Sequence, residues 1–546
     1  MRLDRVYIDG FKNLKQLDVD FDERQLTTVL IGQNGAGKSN LIEAITEVFR
    51  WVDLRQHEPR FLYRVEYRIQ PRSGTVEKAT HVTLSNIEGE SAVLIDGKDV
   101  KRSEFEKHKD DWFPDLVFGY YSGSSRRLEA LFDTHQTKYY KTIATNDDEA
   151  ACYKALLARR LFFCRPVHGE LAMLCLFAFL ESAQTPGAEE TPENKVVNAL
   201  KATLKITGFH SALALFREPW YAKGGKAIKA SEAANFWGAA GPAGRTAVRL
   251  KELAFHPIAL TGNAIDDYRD KKQDEAQFAI FLHDLNTLRL LRKKYTDESD
   301  MFYALEALDV SDLIRTVEVW VTRDNDATGD VSFSGLSDGE RQLLMVLGMI
   351  RVSRGQRALY LLDEPDTHLN PHWQYSYLQW IKDWMGIAAD EKKCHIILTS
   401  HNPLTISALT RDEIRVLTQL DDGRVSASAP YADPKGMGFT ATLTEIFGLR
   451  TSLDVETQRL VDDRNKLAKL PKKSDLEEQK FIEINDKLSR LGFLFEDREP
   501  LYQDFLLNWH DVRYADKPPL TPEQIASRQR GMKALIERLM TKEADT

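Results

Sequence analysis

The stretch that decides the fold is Gly32–Ser39, GQNGAGKS. It matches the phosphate-loop pattern G-x-x-x-x-G-K-S/T at each fixed position, follows the apolar run Leu26–Ile31 and precedes Asn40–Trp51, which has helical spacing. The loop contains three glycines, Gly32, Gly35 and Gly37. They allow the backbone to curl so that its N–H groups and the helix N-terminus point at phosphates. A glycine-rich turn could match by chance, but the flanking strand and helix favour a nucleotide site.

Four further residues in or next to this stretch are predicted to contact ATP or Mg²⁺. Lys38 is expected to neutralise the β and γ phosphates, and Ser39 is expected to ligate Mg²⁺. Asn34, within the loop, and Asn40, directly after it, are predicted to contact ATP. ATP and Mg²⁺ are therefore the cofactors that the sequence predicts.

A second stretch, Leu359–Pro371 (LYLLDEPDTHLNP), carries two adjacent acidic residues. Its first four residues predict a buried strand, which delivers Asp363 and Glu364 to the carboxyl end of an open α/β sheet. Asp363 is predicted to hold Mg²⁺, and Glu364 is predicted to act as the general base that polarises the attacking water. The alternative is a strand that ends in a solvated acidic turn, which the neighbouring motifs disfavour.

A third stretch places a histidine at the same edge of the sheet. The apolar strand His395–Leu398 ends in Thr399–Pro403, TSHNP. We therefore predict that His401 contacts the γ-phosphate and responds to its loss. Taken alone, His401 would be read as a surface loop residue.

Between these stretches lies Leu336–Gln342, LSDGERQ. Ser337, followed three residues later by Glu340, is the pattern of a capping box, and it predicts the start of a helix over Glu340–Val352. The helix N-terminus favours an anion. Capping and phosphate binding can coexist at this position.

The order of these motifs resembles the ATP-binding cassette (ABC) type of ATPase, in the branch that contains the SMC, SbcC, RecF and OLD-like proteins. The resemblance implies a head-to-head dimer with two ATP molecules between the subunits. Ser337 and Gly339 of one subunit would close over the γ-phosphate that Lys38 of the other subunit holds. The glutamine that the family places between its lobes has no clear match, so Tyr121, Ser122 and Gln136 stay unassigned, and Lys12 is a candidate contact near the nucleotide.

The composition limits the class of protein. The chain has 546 residues, a net charge of −9 and 42% hydrophobic residues, so it can build several domains and is not coated with basic surface for nucleic acid. Four widely spaced cysteines match neither a zinc site nor a disulfide framework, which predicts a reduced cytoplasmic setting. No segment has roughly 20 uninterrupted apolar residues, so no membrane contact is expected.

Basic pairs could still form a local patch for DNA. The candidates are Arg126–Arg127, Arg159–Arg160 with Arg165, and Arg289–Lys294. We interpret each first as a solvated helix face or a salt-bridge donor, because basic pairs are common in a chain of which 29% is charged. Direct DNA binding is left open.

The predicted fold class is α/β, a two-lobed phosphate-loop ATPase head with a helical insertion and a helical C-terminal tail. Residues 1–140 form the first lobe, 141–310 a compact and mostly helical insertion, 311–440 the second lobe and 441–546 the tail. Glu275–Lys293 is predicted as one helix. The insertion lacks a sustained heptad repeat, so a coiled coil is not expected. The sequence after His401 lacks an Asp-x-Asp at the end of an apolar strand, so neither a Toprim domain nor a nuclease activity of the chain itself is expected.

The tail is predicted as helices at Leu453–Leu470, Asp475–Leu491 and Glu523–Met540, with a candidate docking surface at Phe493–Trp509. With the compact insertion and TSHNP, this architecture resembles the PtuA ATPases of the Septu anti-phage systems, which are also found with some retrons. The resemblance implies an HNH nuclease partner, PtuB, an assembly of ATPase dimers and, in a retron, a reverse transcriptase with its RNA–DNA product.

Three function classes compete. The first is a defence ATPase that controls a separate nuclease. The second is a DNA-repair ATPase of the RecF or SMC kind that binds DNA directly. The third is a scaffold that binds ATP to assemble and turns over little.

Overall fold

The computed structural model describes residues 1–492 apart from 73–78, 145, 181–191, 220–233, 264–273, 325–328, 354, 387–393, 450, 452 and 471, and beyond 492 only 527, 530 and 531. The chain divides into two compact units. The first is Met1–Ala408 with Asp412–Ala429, and the second is Leu409–Arg411 with Pro430–Thr546. The second unit's main segment starts at Pro430, eleven residues before the expected start of the tail at 441, because the last strand of the first unit ends at Ser428.

Strands supply the framework of the first unit. In chain order they are β1 (Arg2–Asp9), β2 (Leu17–Asp20), β3 (Thr27–Gly32), β4 (Leu62–Ile69), β5 (Thr80–Ser85), β6 (Val93–Ile95), β7 (Lys98–Asp99), β8 (Leu116–Tyr121), β9 (Leu161–Phe163), β10 (Ile206–Arg217), β11 (Ile258–Asn263), β12 (Asp274–Leu282), β13 (Ile314–Arg323), β14 (Asp330–Ser332), β15 (Ala358–Asp363), β16 (His395–Thr399), β17 (Ile414–Gln419) and β18 (Val425–Ser428).

Helices cover these strands. Those of the first unit are Lys38–Leu54, Arg102–Lys107, Lys109–Trp112, Asp133–Ile143, Glu149–Ala158, Pro166–Phe179, Pro192–Thr203, Gly241–Leu253, Leu285–Arg292, Glu298–Val310, Asp338–Val352, Pro371–Gly386 and Pro403–Ile406. We call Lys38–Leu54 the loop helix and Asp338–Val352 the signature helix. Among the described helices, none combines the length and the apolar character that a membrane crossing requires.

The central sheet has the strand order β18-β17-β3-β16-β15-β8-β9. Its neighbours pair in parallel except β17 with β18. Every residue of β15 and β16 is buried, as their continuous apolar runs predict for strands covered on both faces. Parallel pairing brings the carboxyl ends of β3, β15 and β16 to one edge, where ligands of open α/β sheets bind.

A second sheet, with the order β2-β1-β4-β5-β6-β7, is antiparallel. The loop helix buries Leu41, Ile45, Val48 and Phe49 in the core that this sheet shares with the central one. The phosphate-loop strand and helix lie between a parallel and an antiparallel sheet, which confirms the predicted α/β head of the ABC type.

The insertion differs from its prediction in one respect. Helices outnumber strands among its described elements, but β10, β11 and β12 join β13 and β14 in a five-stranded sheet, β11-β12-β10-β13-β14. This sheet crosses the predicted boundary at 310. The single helix predicted over Glu275–Lys293 is wrong, because Asp274–Leu282 is a strand and Leu285–Arg292 a short helix capped by Asp284.

The second unit carries helices, as predicted. Val455–Ala468 begins at Asp454 and Asp475–Arg490 begins at Ser474, and both caps accept backbone N–H bonds. A short stretch ahead of them, Phe439–Ile446, is an α turn followed by a π turn. The predictions for Phe493–Trp509 and Glu523–Met540 lie outside the described residues.

Several basic residues proposed for a DNA patch are engaged inside the protein. Arg159 donates to both carboxylate oxygens of the buried Glu306, at 2.7 and 2.6 Å. Arg160 pairs with Asp110, and Arg165 pairs with Asp309. These contacts support the salt-bridge interpretation for this group.

Candidate functional site

The phosphate loop has the backbone that its glycines predicted. Gly32, Gly35 and Gly37 have φ values of 148°, 85° and 100°. At Gly37 a Cβ atom would also lie 2.5 Å from Cδ2 of the buried Leu14, so the position excludes larger residues on two grounds. The loop therefore keeps a curled path into the helix that begins at Lys38.

Lys38 lies almost entirely inside the loop, with 5% of its surface exposed. Its Nζ donates to the carbonyl oxygens of Gly32 and Gln33, at 2.9 and 3.2 Å. Burial lowers the pKa of Lys38, and the charges of Glu364 and Asp363 partly oppose that effect. Among the described residues, no carboxylate forms an ion pair with this ammonium, so it is suited to an anionic ligand.

Asp363 ends β15 next to the loop and is buried. Its Oδ1 accepts hydrogen bonds from Ser39 Oγ at 2.9 Å and from Thr399 Oγ1 at 2.7 Å. Burial raises the pKa of Asp363, and the two hydroxyl donors act in the opposite direction. The predicted pair, Ser39 and Asp363, is therefore in direct contact.

These two residues fit a magnesium ion. A hydroxyl and a carboxylate oxygen lie side by side, and Mg²⁺ prefers oxygen ligands and is commonly held by one or two carboxylates together with substrate phosphates. In the described chain no group of three or more His, Cys, Asp or Glu side chains is arranged to hold a metal. The other ligands of an Mg²⁺ ion held by Ser39 and Asp363 would be waters and phosphate oxygens.

Glu364 follows Asp363 with a left-handed backbone, φ 54°. Its N–H donates to Thr399 Oγ1 at 2.9 Å, and its carboxylate Oε1 lies 3.1 Å from Nε2 of His401. Both side chains are about one third exposed, at 32% and 38%. A carboxylate and an imidazole therefore face the solvent together at the end of β15 and β16, where a water could reach them.

The LSDGERQ stretch begins the signature helix as predicted. Ser337 Oγ caps the N–H of Glu340, and the Glu340 carboxylate accepts from the N–H and the hydroxyl of Ser337, each at 2.8 Å. A Cβ atom on Gly339 would lie 2.5 Å from the carbonyl oxygen of His368, so this glycine permits a close backbone approach.

Ser337 and Gly339 border a cavity of about 620 Å³. The other lining residues are Thr203, Leu204, Lys205, Arg323, Asp338, Glu340, His368, Asn370 and Trp373. No residue of the phosphate loop is among them. The structure thus brings Lys38, Ser39, Asp363, Glu364 and His401 to one edge, and places the signature residues at a cavity that none of these five lines.

The two asparagines predicted to contact ATP, Asn40 and Asn34, differ in their surroundings. Asn40 donates to Asn13 Oδ1 at 2.7 Å, and Asn13 donates in turn to the carbonyl of Gly35 at 2.6 Å. Asn40 therefore supports the loop through Asn13. Asn34 is exposed at the outer turn of the loop, where it remains available to a ligand.

Sequence reasoning missed Gln342, which is buried at 2% exposure. Its Nε2 donates to the Tyr120 hydroxyl at 3.1 Å and to the Glu364 carbonyl at 3.4 Å, and its Oε1 accepts the N–H of His368 at 3.2 Å. Gln342 is the last residue of the LSDGERQ motif, and its place in that motif is the sequence signal that could have indicated a role at the site. It joins the signature helix to the residues that follow Asp363.

Sequence reasoning also missed Arg127, which contacts Glu43 and Asp363. Lys12, the candidate nucleotide contact, forms an ion pair with the same Glu43. Gln136 accepts from the buried Arg159 at 3.1 Å, so its side chain is engaged with that ion pair. At the end of β8, an arginine rather than a glutamine reaches the predicted metal ligand.

Comparisons with known families give two matches to ATPase domains. Residues 1–156 match the model "AAA ATPase domain", and residues 233–407 match "AAA domain, putative AbiEii toxin, Type IV TA system". The chain is 25% identical over 163 residues to the Septu protein PtuA of Bacillus mycoides, and 20% identical over 450 residues to "Retron Vc95 probable ATPase" of Vibrio cholerae. The chain resembles the ATPases of Septu and retron systems.

The extent of these matches differs. The Septu match covers 28% of this chain and 22% of that protein, and the retron match covers 80% and 77%. A third relative, the DNA replication and repair protein RecF of Lactobacillus acidophilus, is 51% identical over 85 residues, which is 16% of this chain and 22% of RecF. The chain thus spans about a fifth of two of these relatives and most of the retron ATPase.

The geometry of the loop predicts that Gly37→Ala lowers the free energy of unfolding by about 3 kcal/mol, since it adds left-handed strain and overpacking against Leu14. Gly89→Ala is the matched control, because Gly89 has φ 84° and open space at its Cβ. It should cost about 1–2 kcal/mol from strain alone. Urea unfolding of both variants checks the difference, and equal losses would show that Leu14 yields without cost.

Proposed function

We propose that this chain binds and hydrolyses ATP at the edge formed by β3, β15 and β16. The proposal rests on three features that meet at this edge. Lys38 is buried and forms no ion pair with a carboxylate of the described residues, Ser39 contacts Asp363, and Glu364 and His401 face the solvent together. Lysine, hydroxyl and carboxylates in this order are the parts that phosphoryl transfer to water requires. The ATPase models that match residues 1–156 and 233–407 support it.

Each residue has a separate role in the proposed reaction. Lys38 and the loop N–H groups bind the β and γ phosphates, and Ser39 and Asp363 hold the metal. Bound Mg²⁺ would neutralise charge on the phosphates. Glu364 accepts the proton of the attacking water, while His401 orients the Glu364 carboxylate through their 3.1 Å contact.

We further propose that ATP is bound between two copies of the chain. Ser337 and Gly339 border a cavity that none of the phosphate-loop residues lines, so a signature contact to the γ-phosphate would come from another copy. The capped N-terminus of the signature helix suits an anion there. Hydrolysis would then remove the phosphate that bridges the pair.

The biological role that fits best is the ATPase of a bacterial anti-phage complex, in which the ATP-bridged dimer controls a separate HNH nuclease of the PtuB type. A retron setting would add a reverse transcriptase and its RNA–DNA product. The similarity to the Septu and retron ATPases supports this role. The internal ion pairs of Arg159, Arg160 and Arg165 remove part of the basic surface that direct DNA binding would use.

The catalytic proposal predicts that Glu364→Gln lowers the rate of ATP hydrolysis about 10²–10³-fold with little change in ATP affinity, since it removes the general base. Lys38→Ala should instead abolish ATP binding. Glu88→Gln, at an exposed turn, is the control and should leave both unchanged. Phosphate release and equilibrium binding measure the two effects. Undiminished hydrolysis by Glu364→Gln would refute the enzyme assignment.

The dimer proposal predicts complementation between two inactive variants, Lys38→Ala and Ser337→Asp. Aspartate keeps a helix cap but repels phosphate. A mixed dimer keeps one intact site, so an equal mixture should recover about a quarter of the unaltered hydrolysis rate, because random pairing makes half of the dimers mixed. If each chain completed its own site, the mixture would remain inactive.

The partner proposal predicts that the chain, expressed with its genomic neighbours and purified through a tag, co-elutes with an HNH nuclease at fixed stoichiometry. The expected nuclease activity depends on the ATP state and changes with Glu364→Gln. Purification of the ATPase alone, together with tight DNA binding, would contradict this role and favour the DNA-repair class. A complex that forms with ATP but shows no turnover would favour the scaffold class.

A further inference from the structure

Arg127 forms an ion pair with Asp363, the predicted metal ligand. Its Nη2 lies 3.3 Å from Oδ2 of Asp363, and its Nε lies 3.2 Å from Oε1 of Glu43. The guanidinium also lies over the Tyr121 ring, 5.3 Å from the centroid. Arg127 thus joins two carboxylates, one of which is the predicted Mg²⁺ ligand.

The two carboxylates and the arginine differ in their access to water. The side chains of Asp363 and Glu43 are 2% and 6% exposed, whereas that of Arg127 is 38% exposed. A buried carboxylate needs a partner, but a partly solvated arginine can exchange one partner for another. Glu43 would keep Lys12 as an ion-pair partner if Arg127 moved.

Arg127 and a metal ion cannot share Asp363 without a cost. Ser39 Oγ is bonded to Oδ1 of Asp363, so one carboxylate group separates the hydroxyl that would ligate Mg²⁺ from the guanidinium. A divalent ion at Ser39 and Asp363 would repel the neighbouring positive charge at short range. A terminal phosphate held by Lys38 would offer that charge a new partner, since guanidinium groups bind phosphate oxygens in bidentate fashion.

We propose that Arg127 is a nucleotide-sensing residue that exchanges its contact with Asp363 for one with the γ-phosphate when Mg²⁺ and ATP bind. The inference rests on the proposed ATP site and adds a positioning residue to it. Arg127 lies in the segment after β8, whose Ser122 N–H donates to the Asp363 carbonyl at 3.2 Å and whose Ser122 hydroxyl lies 3.4 Å from Thr367 Oγ1. The transfer therefore reports the presence of a γ-phosphate to the segment between β8 and the helix that follows.

The test compares affinities for methylanthraniloyl-labelled ATP and ADP. At saturating Mg²⁺, Arg127→Ala should weaken ATP binding about tenfold, which corresponds to loss of one charge-assisted contact, and should not weaken ADP binding. Arg127→Lys keeps the charge without the fork and should show an intermediate loss. Arg126→Ala is the control, because Arg126 is 68% exposed and pairs with Glu129 and Asp133 on the same segment.

A second readout has the opposite sign. With labelled ADP, Arg127→Ala should reach half-saturation at a severalfold lower Mg²⁺ concentration, because the competing cation has been removed from Asp363. A purely structural ion pair would weaken ATP and ADP in parallel, or neither, and either result would overturn the inference. An unchanged Mg²⁺ requirement would also overturn it.

The failure of the proposed function is distinguishable. If the unaltered chain bound neither nucleotide, both proposals would fall. Suppose instead that the unaltered chain binds ATP and Lys38→Ala does not. If Arg127→Ala then has the same ratio of ATP affinity to ADP affinity as the unaltered chain, only the role of Arg127 would fall. Should Arg127→Ala fail to fold, as judged by its unfolding curve, Arg127→Lys and Arg127→Gln provide the same ratio.

Discussion

The site depends on one buried carboxylate, Asp363. It ends β15, and its Oδ1 accepts from Ser39 after β3 and from Thr399 at the end of β16, while Oδ2 faces Arg127 after β8. An unsatisfied carboxylate at this depth would be costly, so its hydrogen bonds define the positions of these strand ends relative to one another. The low exposure of Asp363 is thus a structural constraint as well as a chemical one.

The same network explains why Glu364 can face the solvent. Thr399 Oγ1 donates to Asp363 and accepts the N–H of Glu364, which fixes the left-handed turn at Glu364. A strained backbone of this kind persists only where the surroundings hold it. The turn directs Asp363 into the protein and Glu364 toward His401. The Thr399 hydroxyl, which contacts both residues, thus helps to place two adjacent carboxylates in different environments.

The sequence predicted the parts of the site that depend on local order. β3, β15 and β16 are short apolar runs followed directly by motif residues, and a parallel sheet then brings those residues to one edge. The contact of Arg127 with Asp363 could not be predicted, because it spans 236 positions and the basic pair Arg126–Arg127 indicates only a candidate patch for DNA. The sheet of β10 and β13 also depends on long-range pairing, such as that of Phe216 with Ile314. The run Asp274–Leu282 is too short for its apolar spacing to distinguish a strand from a helix.

Gln342 connects the border of the signature cavity to the catalytic edge. Gln342 contacts the Glu364 carbonyl and the His368 N–H, and His368 also receives the close approach of Gly339. Gln342 is buried and hydrogen-bonded on both its amide atoms, so it ties the signature helix to the peptide groups that set the Glu364 turn. No phosphate-loop residue lines the signature cavity, yet these hydrogen bonds join its border to the catalytic edge.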